Sequence, residues 1–135
     1  MMASSRWLVA CGVLAAVVAL AMGQGMVGSP MEADVNEEGV QRALRFAMDQ
    51  YNKGSNDMYT SRPSEVVRVR KQIVAGIKYL MEVKVRRTTC TKSMIDIENC
   101  AFNEAPELTQ AMICNFDVYH VPWKNKISLT RQECH

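Results

Sequence analysis

The stretch VRVRKQIVAGIKYLMEVKV, residues 67–85, decides the fold. Apolar side chains alternate with charged or polar ones from Val67 to Arg70 and again from Ile77 to Arg86, which is the pattern of a β-strand with one buried face. Between these two segments lies Val74-Ala75-Gly76, where glycine adopts a positive φ at low cost. The stretch therefore predicts a β-hairpin with an apolar turn.

A second hairpin is predicted towards the C terminus. Side chains alternate from Met112 to Val118 and from Ile127 to Thr130, and Pro122 interrupts the pattern between them. Proline cannot donate to a strand ladder, so the turn falls near Pro122 to Asn125.

Towards the N terminus, NEEGVQRALRFAMDQYN, residues 36–52, has the period of an amphipathic helix. Asn36 is the expected N-cap, and Gly54 is expected to end the helix. The apolar stripe consists of Val40, Leu44, Ala47, Met48 and Tyr51. One helix and a run of antiparallel strands predict an α+β domain, in which a long helix packs across a curved antiparallel β-sheet.

Residues 1–23 have the order of a secretory signal peptide. Arg6 precedes the apolar run Trp7 to Leu20, and the small-residue stretch Ala21-Met22-Gly23 follows. The alternative is a retained membrane anchor, but the run is shorter than the roughly 20 apolar residues that a span needs. We therefore expect residues 1–23 to be removed, which leaves a single secreted domain over residues 24–135.

The cysteines of this domain predict two disulfides. The four are Cys90, Cys100, Cys114 and Cys134. An even number in an exported chain indicates disulfide pairing, with three connectivities open. The position midway between Cys114 and Cys134 falls inside the second predicted turn, so these two lie opposite each other across the hairpin. Cys114 is therefore expected to pair with Cys134, and Cys90 with Cys100.

Composition and charge favour neither an enzyme nor a nucleic-acid-binding protein. In 135 residues, 16 Lys and Arg balance 14 Asp and Glu, for a formal charge of +2. This balance does not predict a basic face for phosphates. The chain has two histidines, His120 and His135, which leaves little material for a metal site or a general base. We expect no cofactor and no metal.

Apolar side chains stand at the tips of both predicted turns, where polar residues are usual. Ile73, Val74 and Ala75 occupy one turn, and Pro122 and Trp123 occupy the other. These residues either bind a partner, or Trp123 folds back onto the core. A third apolar piece, Met26-Val27-Gly28, precedes the predicted fold and is either a binding segment or a passive tail. The pattern alone leaves these alternatives open.

Taken together, these residues resemble those of the secreted, or type 2, cystatins. The matching features run from Gly28 through the helix end RALRFAMDQYN, Ser55-Asn56-Asp57, a QxVxG motif at residues 72–76, RTTCT at residues 87–91, and Pro122-Trp123. The resemblance covers nearly the whole domain. It implies the cystatin fold and a reversible, tight-binding inhibitor of papain-like cysteine proteases, including cathepsins, that is not itself an enzyme.

The resemblance also implies a site, in which three segments form a wedge that fills the active-site cleft of the protease. Met26 and Val27 would occupy the non-primed pockets, and Gly28 would let the chain bend away. The primed side would be covered by Gln72, Ile73, Val74, Ala75, Gly76, Pro122 and Trp123.

A second site is implied on the loop after the helix. Ser55, Asn56 and Asp57 match a family segment that inhibits legumain-type asparaginyl proteases, with Asn56 in the asparagine-selective pocket. The alternative is an ordinary Asn/Asp turn that closes the helix.

Two further expectations concern function class and assembly. The competing function is a cystatin-fold secreted interaction or antimicrobial protein without useful protease affinity. The protein is expected to be a monomer, with no nucleic-acid partner and no membrane contact once the signal is removed. Opening of the turn at Val74 would allow a domain-swapped dimer.

Overall fold

The computed structural model describes residues 28–93 and 97–135. The predicted signal peptide, residues 1–23, and the predicted binding residues Met26 and Val27 lie outside this range. The described chain forms one helix and a five-stranded antiparallel sheet with strand order β1-β2-β3-β4-β5. The elements are β1 (Met31–Glu32), α1 (Glu38–Gly54), β2 (Tyr59–Val74), β3 (Gly76–Thr91), β4 (Met112–Val121) and β5 (Lys126–Cys134). The predicted α+β class is confirmed.

Helix α1 packs its apolar stripe onto one face of the sheet. Val40, Leu44, Ala47 and Met48 are buried in the same core as Val83, Phe116 and Val118. Tyr51 is half-buried and meets Phe116 edge to face, with ring centroids 6.3 Å apart. The predicted stripe is therefore the buried face of the helix.

The start of the helix differs from the prediction. Glu37, not Asn36, is the N-cap residue, and no side chain caps it. Asp34 forms a turn that precedes the helix, because its Oδ1 accepts the Asn36 N–H at 2.8 Å and its carbonyl accepts the Glu37 N–H at 3.1 Å. This turn delays the first helical residue to Glu38. The helix includes Gly54 as its last residue, as expected.

The first hairpin has the predicted turn but contains a β-bulge. Val66 lies opposite Val83 and Arg68 lies opposite Glu82, so Val67 is an extra residue in β2. The bulge turns Val67 to solvent, where 48% of it is exposed, while Val69 is 4% exposed. The prediction that Val67 and Val69 share one face is therefore wrong, because strict alternation does not survive an inserted residue.

Both predicted disulfides are present. Cys114 lies directly opposite Cys134, with their Cα atoms 4.1 Å apart. The neighbouring residues Ile113 and His135 exchange both backbone hydrogen bonds, at 2.9 and 3.0 Å. The cysteines therefore form a non-hydrogen-bonded pair, in which side chains come closest. Cys90 and Cys100 close the irregular segment that precedes β4, with a Cα separation of 5.9 Å.

Within residues 28–93 and 97–135, no helix is both long and apolar enough to cross a membrane.

Candidate functional site

Strand directions bring three segments to one end of the sheet. Because β3 runs antiparallel to β4, the start of β3 lies beside the end of β4, and Ile77 is opposite His120. The turn from β2 to β3 and the turn from β4 to β5 are therefore neighbours. Strand β1 pairs antiparallel with β2 through Met31 and Lys71, so the chain before β1 points to the same end. We call this end, formed by Gly28, residues 72–76 and Pro122-Trp123, the apolar edge.

The first turn of the apolar edge is held in a conformation that glycine favours. Val74 lies opposite Gly76, which leaves Ala75 at the tip. Gly76 has a φ of 129°, and a Cβ at this position would lie 2.8 Å from the carbonyl oxygen of His120. The hydroxyl of Tyr119 donates a hydrogen bond to the carbonyl of Ala75. Strand β4 therefore lies against this turn at Gly76 and supports its tip through the hydrogen bond from Tyr119.

The second turn presents its aromatic ring to solvent. Pro122–Lys124 form one 3-10 turn, which ends at Asn125 with a left-handed φ of 49°. The N–H of Asn125 donates to the carbonyl of Pro122 at 3.0 Å. Trp123 is 69% exposed. The alternative that Trp123 folds back onto the core is therefore wrong.

The third segment is attached to the first turn by two hydrogen bonds. The N–H of Gly28 donates to the carbonyl of Ile73 at 3.1 Å, and Nε2 of Gln72 donates to the carbonyl of Gly28 at 3.0 Å. A Cβ at position 28 would lie 3.0 Å from the Ile73 oxygen, so the two backbones approach closely. Ile73 itself is 45% exposed.

The apolar edge is suited to burial against a partner rather than to chemistry. Its residue types carry no ionisable side chain. Its exposed surface comes mainly from Ile73, Ala75, Pro122 and Trp123. Both turns are held by the sheet, so little conformational entropy is lost when they bind. In the described part of the chain, no group of three or more His, Cys, Asp or Glu residues is placed to hold a metal ion.

The loop Ser55-Asn56-Asp57 lies at the opposite end of β2. This strand has 16 residues, and at about 3.3 Å per residue it separates the loop from the apolar edge by up to about 50 Å. The Asp57 N–H donates to Oγ of Ser55 at 3.0 Å, and Oδ1 of Asp57 accepts the Tyr59 N–H at 3.0 Å. Asn56, between them, is exposed. Those predicted site residues that the structure describes thus fall at two separate ends of the molecule.

Two cations from β3 and the segment after it fix this loop. Arg87 forms an ion pair with Asp57, and Nζ of Lys92 donates to the carbonyl of Ser55. Burial of the Asp57 carboxyl opposes its ionisation, but hydrogen bonds from Arg87 and Tyr59 and the charge of Arg87 outweigh it. The pKa of Asp57 therefore lies below its ordinary value.

Sequence reasoning missed two residues that support these segments. Tyr119 was not singled out, although it is an aromatic residue on the polar side of the β4 alternation, with Asn115 and Asp117. Arg87 was noted as part of a motif, but nothing in its spacing points to Asp57, 30 residues earlier. The pairing of β2 with β3 brings Arg87 and Asp57 together.

Comparisons with known proteins agree on one family. Residues 28–123 match the Cystatin domain. The chain is 50% identical over 135 residues to cystatin-2 of Crotalus adamanteus, covering 98% of this chain and 99% of that protein. It is 54% identical over 109 residues to cystatin-C of Rattus norvegicus, covering 81% and 78%. Among solved structures, dimeric human cystatin F is similar, with a TM-score of 0.74 at 34% identity, covering 81% of this chain and 87% of that one.

Substitution of Gly76 by alanine tests the close approach at the first turn. We expect Gly76→Ala to lower the free energy of unfolding by about 2 kcal/mol, because the residue combines a positive φ with a collision against the His120 carbonyl. Gly54→Ala is the matched control, since nothing lies within 4 Å of a Cβ there. Urea unfolding followed by circular dichroism gives both values. Equal effects at the two positions would contradict this account.

The Asp57–Arg87 pair predicts a pH-dependent contribution to stability. Because the folded-state pKa of Asp57 is lowered, its contribution is full above the unfolded value of about 3.9 and is lost as pH falls through the lower folded value. Asp57→Asn should therefore cost about 1 kcal/mol at pH 7 and less at pH 3. The measurement is urea unfolding of both proteins at the two pH values.

Asp49→Asn is the control for this experiment, because Asp49 pairs with Lys53 on the exposed helix surface. Its cost should stay within about 0.5 kcal/mol at pH 7. A cost for Asp57→Asn that does not change between pH 7 and pH 3 would show that the charge of Asp57 is not responsible.

Proposed function

Because this chain belongs to the cystatin family, whose members inhibit cysteine proteases, we propose that it is a reversible, tight-binding inhibitor of papain-like proteases such as cathepsins. Cystatins are protease inhibitors rather than enzymes. In this proposal the apolar edge enters the active-site cleft as a three-part wedge. Met26 and Val27, with Gly28, take the non-primed side, and residues 72–76 with Pro122-Trp123 take the primed side.

The observation that carries this proposal is the convergence of the three segments on the apolar edge. Ile73 and Trp123 remain exposed although both are large and apolar, which favours a binding role for them. The turns reach the edge as closed, hydrogen-bonded units, so they would fill a cleft without offering an extended peptide bond to the catalytic thiolate. Inhibition is therefore steric.

Secretion is part of the same proposal. Removal of residues 1–23 would release a domain over residues 24–135, in which both disulfides are formed. An oxidising compartment is required to keep such bonds. The proposed product acts outside the cell on proteases that it meets there.

Titration of papain tests the wedge. The wild-type protein should inhibit stoichiometrically, and Trp123→Ala should raise the inhibition constant at least roughly 30-fold, as expected for an exposed aromatic anchor worth about 2 kcal/mol or more. Met58→Ala is the matched control, because Met58 is 66% exposed but follows the loop at the opposite end of the molecule. Its inhibition constant should stay within about twofold of wild type.

Two results would contradict the wedge. Absence of papain inhibition by a folded protein with both disulfides would favour the alternative of a secreted interaction or antimicrobial protein. Equal weakening by Trp123→Ala and Met58→Ala would show that inhibition does not depend on the apolar edge.

We further propose that the loop Ser55-Asn56-Asp57 inhibits legumain-type asparaginyl proteases. The supporting observation is that Asn56 is exposed while its neighbours are fixed by Arg87, Lys92 and the start of β2. The distance from the apolar edge implies that the two inhibitory sites act separately.

Asn56→Ala separates the two proposed sites. It should abolish inhibition of legumain and leave inhibition of papain within about twofold of wild type, since the loop is remote from the apolar edge. Asn36→Ala, at another exposed asparagine, is the control and should change neither. Unchanged legumain inhibition by Asn56→Ala would refute the second site, and loss of both activities would refute their independence.

Assembly remains a prediction. We expect a monomer, and opening of the turn at Val74 would let two chains exchange β1, α1 and β2. In such a dimer β2 would run directly into β3, and the first turn of the apolar edge would be lost.

A further inference from the structure

We propose that Gln72 is a positioning residue, whose side-chain amide holds the carbonyl of Gly28 and thereby sets the direction in which the N-terminal segment enters the protease cleft. This inference rests on the proposed wedge. It assigns Gln72 a role that differs from contact with the protease, because Gln72 acts through the segment before Gly28.

The geometry supports a two-point attachment. The Gly28 N–H donates to the carbonyl of Ile73 at 3.1 Å, and Nε2 of Gln72 donates to the carbonyl of Gly28 at 3.0 Å. One bond fixes each side of the same residue. A single bond would leave the chain free to rotate about it, whereas two bonds fix both the position and the direction of the backbone at Gly28.

The side chain adds to the attachment because the backbone pairing with β2 shifts register before β1. Strand β1 pairs with β2 only at Met31 and Glu32. The next backbone bond towards the N terminus runs from the Gly28 N–H to the carbonyl of Ile73, which is one residue out of the register of Met31 with Lys71. The amide of Gln72 supplies a second bond to Gly28 beyond this shift in register. A side chain without a donor would leave Gly28 with the bond to Ile73 alone.

A positioning role makes a prediction that direct contact does not make. If Gln72 aims the N-terminal segment, its effect on affinity requires the side chains of Met26 and Val27. If Gln72 instead contacts the protease, its effect is the same whether or not those side chains are present. The two substitutions are therefore non-additive in the first case and additive in the second.

A double-mutant cycle against papain distinguishes these cases. All variants are expressed from the full chain in secreting cells. Gln72→Met keeps the length of the side chain but removes the donor, and it should raise the inhibition constant about fivefold to tenfold. In the background of Met26→Ala with Val27→Ala, the same substitution should change the constant by less than about twofold. The same factor in both backgrounds would overturn the positioning role.

A second measurement needs no protease. Exchange of the Gly28 amide proton with water, followed by NMR, should be several-fold faster in Gln72→Met, because its bond to Ile73 is no longer braced. Gln132→Met, the same substitution on the exposed edge strand β5, should leave this rate unchanged. Equal unfolding midpoints for the two variants would confirm that both are folded. An unchanged Gly28 rate in Gln72→Met would refute the attachment.

These measurements separate the inference from the proposed function. If wild type does not inhibit papain but the Gly28 amide exchanges faster in Gln72→Met, the attachment stands and the wedge falls. If wild type inhibits and the cycle is additive, the wedge stands and the positioning role of Gln72 falls.

Discussion

The antiparallel pairing of β3 with β4 is the constraint on which the apolar edge depends. It places the start of β3 beside the end of β4, so two turns that are far apart in sequence become neighbours. Gly76 lets the backbones come together there, because any larger residue would collide with the His120 carbonyl. Tyr119 then braces the tip of the first turn from the neighbouring strand. Without this pairing, the exposed apolar residues would have no common surface.

The remaining elements act mainly by holding this pair of strands. Helix α1 packs on one face of the sheet, where it buries Val83 and Phe116, and the bridge from Cys114 to Cys134 links β5 to β4. The bridge lies at the far end of the second hairpin from Trp123. The bridge lowers the conformational entropy of the unfolded chain and so stabilises the hairpin. Because of its position, it does this without covering the apolar edge.

Periodicity in the sequence was sufficient for the helix and both hairpins, because burial of one face leaves a repeating local pattern. The number of cysteines and their positions about the second turn were sufficient for the disulfides. Periodicity was insufficient wherever the orientation of a residue depends on a strand that is distant in sequence. Val67 is turned outwards by a bulge that only the pairing with β3 reveals. Strand β1 is two residues long, too short to show alternation. The positions of Tyr119 and Arg87 in the two sites likewise depend on strand neighbours, although the residue types of both sites are readable in the sequence.

The close approach at Gly76 also determines how this scaffold can be redesigned. A side chain at position 76 would collide with β4, so this position of the first turn has to remain glycine. Three side chains, by contrast, project into solvent and contribute little to the stability of the fold: Ile73, Ala75 and Trp123. A library that varies these three side chains and keeps Gly76 fixed would change selectivity on a constant frame, much as loop randomisation does in an antibody domain.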